Sequence, residues 1–325
     1  MKAVVVHGAN DLRVDDLPDP VAREGEVLVA MEWGGICGSD ISYWRNGSSG
    51  TAVLKQPLVL GHEVAGHITG IGPGVSGLSV GQPVTVHPAT ASGGYFGSAA
   101  FDPHTDGGFS ELRVVRAEQI RTLPSNVDTE HGALAEPLAV AMHAVNRAGD
   151  VRGRDVLVNG AGPIGSLVVA AAKYAGAATV IAADVAGAPL AIANAMGADV
   201  VINVGAGEQL PVDVDLVFEA SGAAAALGAV LHATARGGTV VQVGNLPGKA
   251  VSASLGDLVT REISWIGSYR FVDEITDAVA AMDNGLDVTP LITHRYPINE
   301  AAQAITVAAD RNSGSGKVLL QLGGG

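Results

Sequence analysis

Three glycines and an aspartate have the spacing of a dinucleotide-binding turn. Gly160, Gly162 and Gly165 stand in the run VNGAGPIG, and Asp184 closes a second apolar run, TVIAAD, 19 residues after Gly165. The first glycine predicts a tight turn, the second leaves the backbone open to a pyrophosphate, and the third lets a helix pack closely on the strand. A glycine-rich turn alone is common in a chain with 44 glycines. The ordered sequence of strand, turn, helix, second strand and acid favours a dinucleotide site.

The helix predicted from Pro163 to about Ala175 points its free N–H groups at the phosphates. Pro163 and Ile164 are expected to pack beneath the pyrophosphate. Asp184 is placed to accept hydrogen bonds from an adenosine ribose, and its negative charge would repel a 2′-phosphate. No Lys or Arg follows this position before Arg236. The sequence therefore predicts NAD as the cofactor, with NADP disfavoured.

A second group of side chains offers a thiolate, an imidazole and two carboxylates. These are Cys37 in GGICGSD, His62 and Glu63 in GHEVAG, and Glu136 in LAEP. Zn²⁺ takes sulfur, nitrogen and oxygen ligands in tetrahedral sites. Taken singly, each residue has a plainer explanation: a core cysteine, a turn histidine, a solvated carboxylate and an acid at a helix N-terminus. Taken together, they suggest one zinc ion.

Composition limits the classes of protein. A chain of 325 residues exceeds a usual single core, so two domains are expected, and 47% hydrophobic with 16% charged residues is a globular profile. The net charge of −14 argues against nucleic acid or an anionic membrane as partner. Neither a secretion signal nor an apolar run of membrane-spanning length is evident, and the lone cysteine fits a reducing compartment. We expect a soluble, cytoplasmic protein.

Three regions differ in pattern. Residues 1–138 contain short valine-rich runs broken by Gly and Pro, which predict an antiparallel β domain. Residues 139–284 alternate buried strands with alanine-rich helices and predict a doubly wound parallel sheet. Its six strand candidates begin near 156, 180, 200, 215, 239 and 263. The tail, Leu291 to Leu322, offers a strand (HRYP), a helix (299–309) and a last strand (GKVLLQL), and is expected to return to the first domain.

The motifs together resemble the zinc-dependent medium-chain dehydrogenases, in the sorbitol and L-idonate 5-dehydrogenase branch, with the L-idonate enzymes closest. The likeness runs from Met1 to Leu322. Its most specific pieces are GxCGSDxxYW, VLGHEVAG, DGGFSE, AEPLAVAMHA, GAGPIG, EASG and SYRF. The resemblance implies an α/β protein with a GroES-like antiparallel β catalytic domain (1–138 and 285–325) and a doubly wound Rossmann domain (139–284).

The resemblance also implies the metal ligands. Cys37 and His62 would bind the catalytic zinc; Glu63 would bind it directly or support the ligands, and Glu136 would hold the remaining place directly or through water. Many relatives carry a second zinc on four cysteines, which a chain with one cysteine cannot build. The lobe that holds it is shortened here to a few residues around 91–94. Because that lobe often supports subunit contacts, a homo-oligomer is expected but its size stays open.

Three further residues take roles from the resemblance, each with an alternative. Ser39 matches a hydroxyl that relays the alcohol proton, or caps a turn with the next residue. Tyr43 matches a position lining the polyol pocket, or is a core aromatic. Arg270 matches a substrate-facing arginine that could grip a carboxylate with two hydrogen bonds, or forms a surface ion pair with Asp273 or Glu274.

Cofactor contacts are also expected where the fourth and fifth strands of the parallel sheet end, because ligands bind at carboxyl ends of such strands. The candidates are Glu219, Ala220, Ser221, Val243, Gly244 and Asn245.

The implied reaction is transfer of hydride from a secondary hydroxyl of a sugar acid to NAD⁺, with zinc stabilising the deprotonated alcohol; most concretely, L-idonate becomes 5-keto-D-gluconate. One alternative is a sorbitol, xylitol or diol dehydrogenase. Another is a metal-free reductase or a non-catalytic NAD-binding protein on the same scaffold. In each case the expected partner is a small molecule.

Overall fold

The computed structural model describes residues 1–323, which form two compact units. One unit is Met1–Glu136 with the segment from Ile292 onwards, and the other is Pro137–Leu291. The divisions predicted from the sequence lie after Leu138 and Asn284.

The strands are β1 (Lys2–Gly8), β2 (Asp11–Asp16), β3 (Glu26–Gly35), β4 (Ser48–Ser49), β5 (Ala52–Val53), β6 (Leu58–Val59), β7 (Glu63–Ile71), β8 (Pro83–Val86), β9 (Leu112–Arg116), β10 (Ile120–Thr122), β11 (Asp155–Asn159), β12 (Thr179–Asp184), β13 (Val200–Asn203), β14 (Val214–Glu219), β15 (Thr234–Gln242), β16 (Ser264–Gly267), β17 (Ile292–Pro297) and β18 (Lys317–Gln321). The α-helices are α1 (Gly38–Asn46), α2 (Thr129–Gly132), α3 (Ala135–Arg147), α4 (Pro163–Tyr174), α5 (Gly187–Ala195), α6 (Leu227–Ala233), α7 (Gly256–Thr260), α8 (Glu274–Asp283) and α9 (Ala301–Ala309).

The first unit is built around the long strand β3. It pairs antiparallel with β7 along its length, with β9 in its first half and with β18 at its end. Val27, Val29 and Met31 alternate along β3 and are almost fully buried, because successive side chains of a strand point to opposite faces. The strand order of this sheet is β10-β8-β7-β3-β18-β17, in which only β17 and β18 run parallel. The prediction of an antiparallel β domain is confirmed, and the pairing of β18 with β3 makes the C-terminal segment part of this unit.

The second unit contains a six-stranded parallel sheet in the order β13-β12-β11-β14-β15-β16. The chain begins in the middle at β11, builds outward to β13, and then returns to β14 on the other side. Asn159 and Glu219, the last residues of β11 and β14, stand side by side in register. This reversal of strand order is where doubly wound sheets bind ligands. The six predicted strands and the doubly wound sheet are confirmed.

Within residues 1–323, no helix combines the length and the apolar character that crossing a bilayer requires.

Candidate metal centre and dinucleotide site

The pairing of β3 with β7 brings Cys37 close to His62 and Glu63. Gly35, the last residue of β3, lies opposite Glu63, the first residue of β7. Cys37 follows two residues after Gly35, and His62 directly precedes Glu63. Gly35 is required here, because a Cβ at this position would lie 2.2 Å from Glu63 Oε2.

Asp40 ties the two ligand-bearing segments together. Its Oδ2 accepts a hydrogen bond from the backbone N–H of Cys37 at 2.9 Å, at the start of α1. Its Oδ1 accepts one from Gly61 at 3.2 Å, on the segment that leads into β7. The carboxylate is fully buried. From the sequence alone, Asp40 is expected only to cap a turn with Ser39.

Cys37, His62 and Glu63 form a cluster that can hold a metal ion. Each offers one ligand atom, and the three atoms lie within 4.8 Å of one another. A thiolate, an imidazole and a carboxylate are a donor set that suits Zn²⁺. Oε2 of Glu63 is buried and makes no hydrogen bond, although the ammonium of Lys317 lies 2.7 Å away, and a carboxylate oxygen has further lone pairs that a cation can use. The residues present therefore fit a zinc ion.

Lys317, the first residue of β18, forms a buried ion pair with Glu63. Its Nζ lies 2.8 Å from Oε1 and 2.7 Å from Oε2, and it donates a hydrogen bond to Oε1. Both side chains are shielded from water, with 3% and 1% of their surface exposed. Burial raises the pKa of Glu63 to about 7, against the opposing effect of the lysine. Lys317 stands in no motif that would mark it in the sequence.

The histidine of the cluster is strongly affected by its neighbours. Burial lowers the pKa of His62, but Cys37, Asp40 and Glu136 outweigh burial and raise the pKa well above its usual value. Negative donors thus surround this point of the structure, and a bound cation would balance them.

Glu136 lies near the cluster but outside the group of three. It stands in the first turn of α3 and is 4% exposed, and its Oε1 accepts a hydrogen bond from the hydroxyl of Tyr95. The ring of Tyr95 also lies 5.7 Å from that of His62. Tyr95 belongs to the irregular stretch between β8 and β9, of which residues 94–99 are buried. Tyr95 stands in a low-complexity segment without a motif of its own, so the sequence does not indicate its contact with Glu136.

The structure places Ser39 and Tyr43 on α1, two and six residues after Cys37. Ser39 is half-buried in the first turn. Tyr43 is 2% exposed and packs in the main core of the first unit, where its hydroxyl accepts a hydrogen bond from the N–H of Ala99 at 2.9 Å. These surroundings match the alternative in which Tyr43 is a core aromatic.

The glycine-rich turn has the backbone geometry that the motif predicts. Gly160 has φ +95°, which favours glycine. Gly162 is the N-cap of α4, and Pro163 and Ile164 begin the helix. A Cβ on Gly165 would stand 1.7 Å from the carbonyl oxygen of Gly160, so helix and turn pack too closely for any side chain. The free N–H groups of α4 follow this turn and suit a pyrophosphate.

Asp184 ends β12 and lies beside this turn. Its Oδ2 accepts a hydrogen bond from Ala161 at 2.8 Å and its Oδ1 accepts one from Ala186 at 3.0 Å. These contacts fix the carboxylate, and each of its oxygens can accept a further hydrogen bond from a ribose hydroxyl.

Glu219 lies inside the protein and organises the neighbouring strand ends. Its Oε1 accepts hydrogen bonds from the N–H groups of Ser221 and Gly222 at 2.8 and 3.0 Å and from the Ser221 hydroxyl. Its Oε2 accepts one from Asn159 at the end of β11. Its backbone oxygen accepts from Val243 and Gly244, at 2.9 and 2.8 Å. Ser221, Val243 and Gly244 thus share one anchoring residue, which is fully buried.

Arg270 lies between β16 and α8 in the second unit. Its backbone is left-handed, with φ +54°, and its guanidinium lies over the ring of Tyr269 at 5.1 Å from the centroid. The carboxylate of Glu274 pairs with His143 at 2.7 Å.

Comparison with known proteins identifies the family of both units. The family model "Alcohol dehydrogenase GroES-like domain" matches residues 23–125, and "Zinc-binding dehydrogenase" matches residues 163–284. L-idonate 5-dehydrogenase (NAD(P)(+)) of Escherichia coli is 36% identical over 310 residues, 88% of this chain and 89% of that protein. Sorbitol dehydrogenase of Gallus gallus is 35% identical over 327 residues, 93% of this chain and 91% of that protein.

Solved structures give the same picture. The crystal structure of the E. coli L-idonate 5-dehydrogenase superposes with a TM-score of 0.92 at 35% identity, covering 98% of this chain and 97% of that one. A zinc-binding dehydrogenase from Sinorhizobium meliloti, bound to NADP, gives a TM-score of 0.87 at 29% identity and covers 98% of each chain. With its GroES-like and Rossmann units, the chain belongs to the zinc-binding, NAD(P)-dependent medium-chain dehydrogenases of the polyol and sugar-acid type.

Proposed function

We propose that the protein oxidises L-idonate to 5-keto-D-gluconate with NAD⁺. The observation that carries this proposal is the likeness to the E. coli L-idonate 5-dehydrogenase in both sequence and structure, 36% identity with a TM-score of 0.92. In the reaction a secondary alcohol loses a hydride to NAD⁺ and a proton to solvent, giving a ketone, NADH and H⁺.

Cys37, His62 and Glu63 would hold the zinc ion, with Glu136 taking the remaining place directly or through water. When bound, the ion supplies Lewis-acid polarisation of the substrate hydroxyl. Asp40 keeps the two ligand-bearing segments in place by its bonds to Cys37 and Gly61. Ser39, in the first turn of α1, would pass the hydroxyl proton towards solvent.

The second unit would bind the cofactor, whose nicotinamide supplies the hydride acceptor. The turn from Gly160 to Gly165 leaves room for the pyrophosphate beside the N-terminus of α4. Asp184 would bind the adenosine ribose. Because its negative charge would repel the 2′-phosphate of NADP, this residue supports NAD over NADP.

Arg270 would bind the carboxylate of a sugar acid. A guanidinium offers two parallel donors that match the two oxygens of a carboxylate, and a neutral polyol has no such group. Sorbitol dehydrogenase activity remains the second candidate, supported by 35% identity to the Gallus gallus enzyme. A metal-free protein is the least supported alternative, because the cluster of thiol, imidazole and carboxylate is assembled.

Rates on L-idonate and on sorbitol at saturating NAD⁺ test the proposal. We expect wild type to prefer L-idonate, and Arg270→Ala to lower kcat/KM for L-idonate by about tenfold or more, since a charged hydrogen-bonded pair is lost. Sorbitol oxidation should change less. Arg236→Ala, which removes an exposed arginine of the same unit, is the matched control. Equal losses on both substrates would contradict carboxylate recognition.

A further inference from the structure

The segment that carries Arg270 is short and exposed, yet its backbone is well defined by contacts. Residues 267–274, here named the Arg270 loop, join the end of β16 to the start of α8. Tyr269 and Val272 expose 68% and 76% of their surface, so apolar packing of these two side chains does little to fix the loop. The left-handed backbone of Arg270 is unfavourable for a residue other than glycine. Hydrogen bonds from helix α3 are among the contacts that hold the loop.

One face of α3 holds the loop at both ends. At the first end, Arg147 donates from Nε to the carbonyl oxygen of Gly267 at 3.2 Å. At the other end, Glu274 accepts a hydrogen bond through Oε1 from His143 Nδ1 at 2.7 Å. The same carboxylate accepts through Oε2 from the N–H groups of Val272 and Asp273, at 2.7 and 3.2 Å. Glu274 thus connects the helix to the loop backbone.

The His143–Glu274 pair is well shielded. The two side chains expose 16% and 12% of their surface. Burial alone would raise the pKa of Glu274, but the hydrogen bonds from His143 and from the loop backbone lower it to about 2. The carboxylate is therefore charged, and charged acceptors form the stronger hydrogen bonds.

We propose that His143 and Glu274 are positioning residues that hold the Arg270 loop in the conformation in which its arginine binds a substrate carboxylate. The inference rests on the proposed function. Two-pronged recognition of a carboxylate tolerates only small displacements, whereas the candidate zinc ligands and the glycine-rich turn lie outside the Arg270 loop. Releasing the loop should therefore weaken selection of the acid substrate more than the chemical step.

The test uses the zinc-loaded protein with NAD⁺ and three variants. His143→Ala removes the donor, and His143→Asn restores a donor near the position of Nδ1. His232→Ala is the control, because His232 forms an exposed pair with Asp257 at 3.1 Å in the same unit. Hydrogen exchange measured by mass spectrometry reports the N–H groups of residues 267–274. Steady-state kinetics gives KM and kcat for L-idonate and for sorbitol.

In His143→Ala we expect exchange in the Arg270 loop to rise about tenfold and KM for L-idonate to rise about tenfold, corresponding to about 1.4 kcal/mol of binding. Its kcat, and KM for sorbitol, should stay within about twofold of wild type. His143→Asn should recover most of both effects, and His232→Ala should show neither.

Unchanged exchange in His143→Ala would overturn the proposal, as would an equal rise of KM for both substrates. Failure of the proposed function gives a different result: wild type itself then shows no preference for L-idonate, and Arg270→Ala affects both substrates alike. That result overturns the selective role of His143 and Glu274 as well. If wild type prefers L-idonate but KM for L-idonate is unaltered in His143→Ala, only the positioning role of His143 and Glu274 is overturned.

Discussion

A buried carboxylate in the candidate metal centre needs a compensating positive charge, whether or not an ion is bound. Glu63 is fully buried and both of its oxygens lie within 2.8 Å of Lys317 Nζ. The lysine supplies a positive charge to the metal-free protein. A bound cation would supply further positive charge to the same carboxylate. Lys317 should therefore matter most when zinc is absent.

Lys317→Met tests this role at the level of one residue. Leaving Glu63 buried without its partner should destabilise the metal-free protein by about 3–5 kcal/mol. The loss should be smaller in the zinc-loaded protein, because the ion neutralises the carboxylate. Denaturant unfolding with and without zinc measures both values.

The matched control for this test is Lys173→Met. Lys173 pairs with Asp199 at 3.0 Å at a partly exposed position, where an ion pair contributes about 0–1 kcal/mol. Equal destabilisation of the Lys317→Met protein in the presence and absence of zinc would show that Lys317 does not act through the charge of Glu63.

The residues of the candidate metal centre differ in how far the sequence reveals them. The chemical types of Cys37, His62 and Glu63 and their motifs suffice to propose a zinc ion. Lys317 lies 254 residues from Glu63, and only the pairing of β18 with β3 brings them together. Tyr95 likewise reaches Glu136 from an irregular segment. A long-range partner without a motif of its own cannot be predicted from one sequence.

At the level of elements, two glycines of the turn between β11 and α4 have different structural roles. Gly165 has no space for a Cβ, whereas Gly162 has nothing within 4 Å of that position and an ordinary φ of −61°. Gly165→Ala should therefore disturb folding of the second unit. Gly162→Ala should fold nearly as well as wild type, yet its methyl group would fill the space that the pyrophosphate needs.

We expect Gly162→Ala to weaken NAD⁺ binding by about tenfold or more while its free energy of unfolding falls by no more than about 1 kcal/mol. Calorimetric titration with NAD⁺ and denaturant unfolding give the two values. Gly187→Ala, at the first position of α5 with open space around it, should leave cofactor binding unchanged. Wild-type affinity in Gly162→Ala would contradict placement of the pyrophosphate at this turn.

The junction of α3 and α8 predicts a pH dependence of stability. The pKa of Glu274 is lowered from 4.5 to about 2 in the folded protein, chiefly by hydrogen bonds from His143 and the loop backbone that exceed the effect of burial. When folding lowers the pKa of a group, the group stabilises the protein fully at pH values above its pKa in the unfolded state. This stabilisation is lost as pH falls towards its pKa in the folded state.

Glu274→Gln should therefore cost about 1.5–3 kcal/mol near pH 7, the range for hydrogen bonds to a charged group. The difference from wild type should shrink as pH falls from 4.5 towards 2. Unfolding free energies over this range measure it, with Asp277→Asn, exposed on the same helix, as the control. A difference that does not change with pH would mean that the charge of Glu274 is not what stabilises the loop.

Periodicity predicted most elements but not their contacts. The six strands of the parallel sheet and the helix that follows β11 lie where the apolar runs and the glycine motif put them. The sequence does not show that β3 serves three partner strands, or that Glu274 at the start of α8 reaches His143 on α3. These contacts depend on register and on side-chain direction, which a period alone does not specify.

At the scale of the whole molecule, zinc and cofactor should stabilise different parts of the chain. The candidate metal ligands Cys37, His62 and Glu63 belong to the first unit, and the glycine-rich turn belongs to the second. Composition alone indicated two domains. The assignment of one ligand to each unit required the motifs, since net charge and hydrophobic content describe the chain only as an average.

Hydrogen exchange of the whole protein can separate the two effects. NAD⁺ at about 100 times its Kd should stabilise the state that binds it by about 2.7 kcal/mol, with protection concentrated in β11, α4 and the end of β12. Chelation of zinc should increase exchange around Cys37 and in residues 61–64, because an ion bound by the cluster would link these segments. Cofactor protection of the second unit should appear in the metal-free protein as well.

Cys37→Ser is the control that ties the chelation effect to this cluster. The variant should contain less zinc than wild type by elemental analysis, since a hydroxyl is a poorer zinc ligand than a thiolate. Chelator should then cause little further exchange around residue 37 or in residues 61–64. If chelation loosened the variant as much as wild type, or loosened only regions distant from these residues, the stabilising ion would lie elsewhere in the molecule.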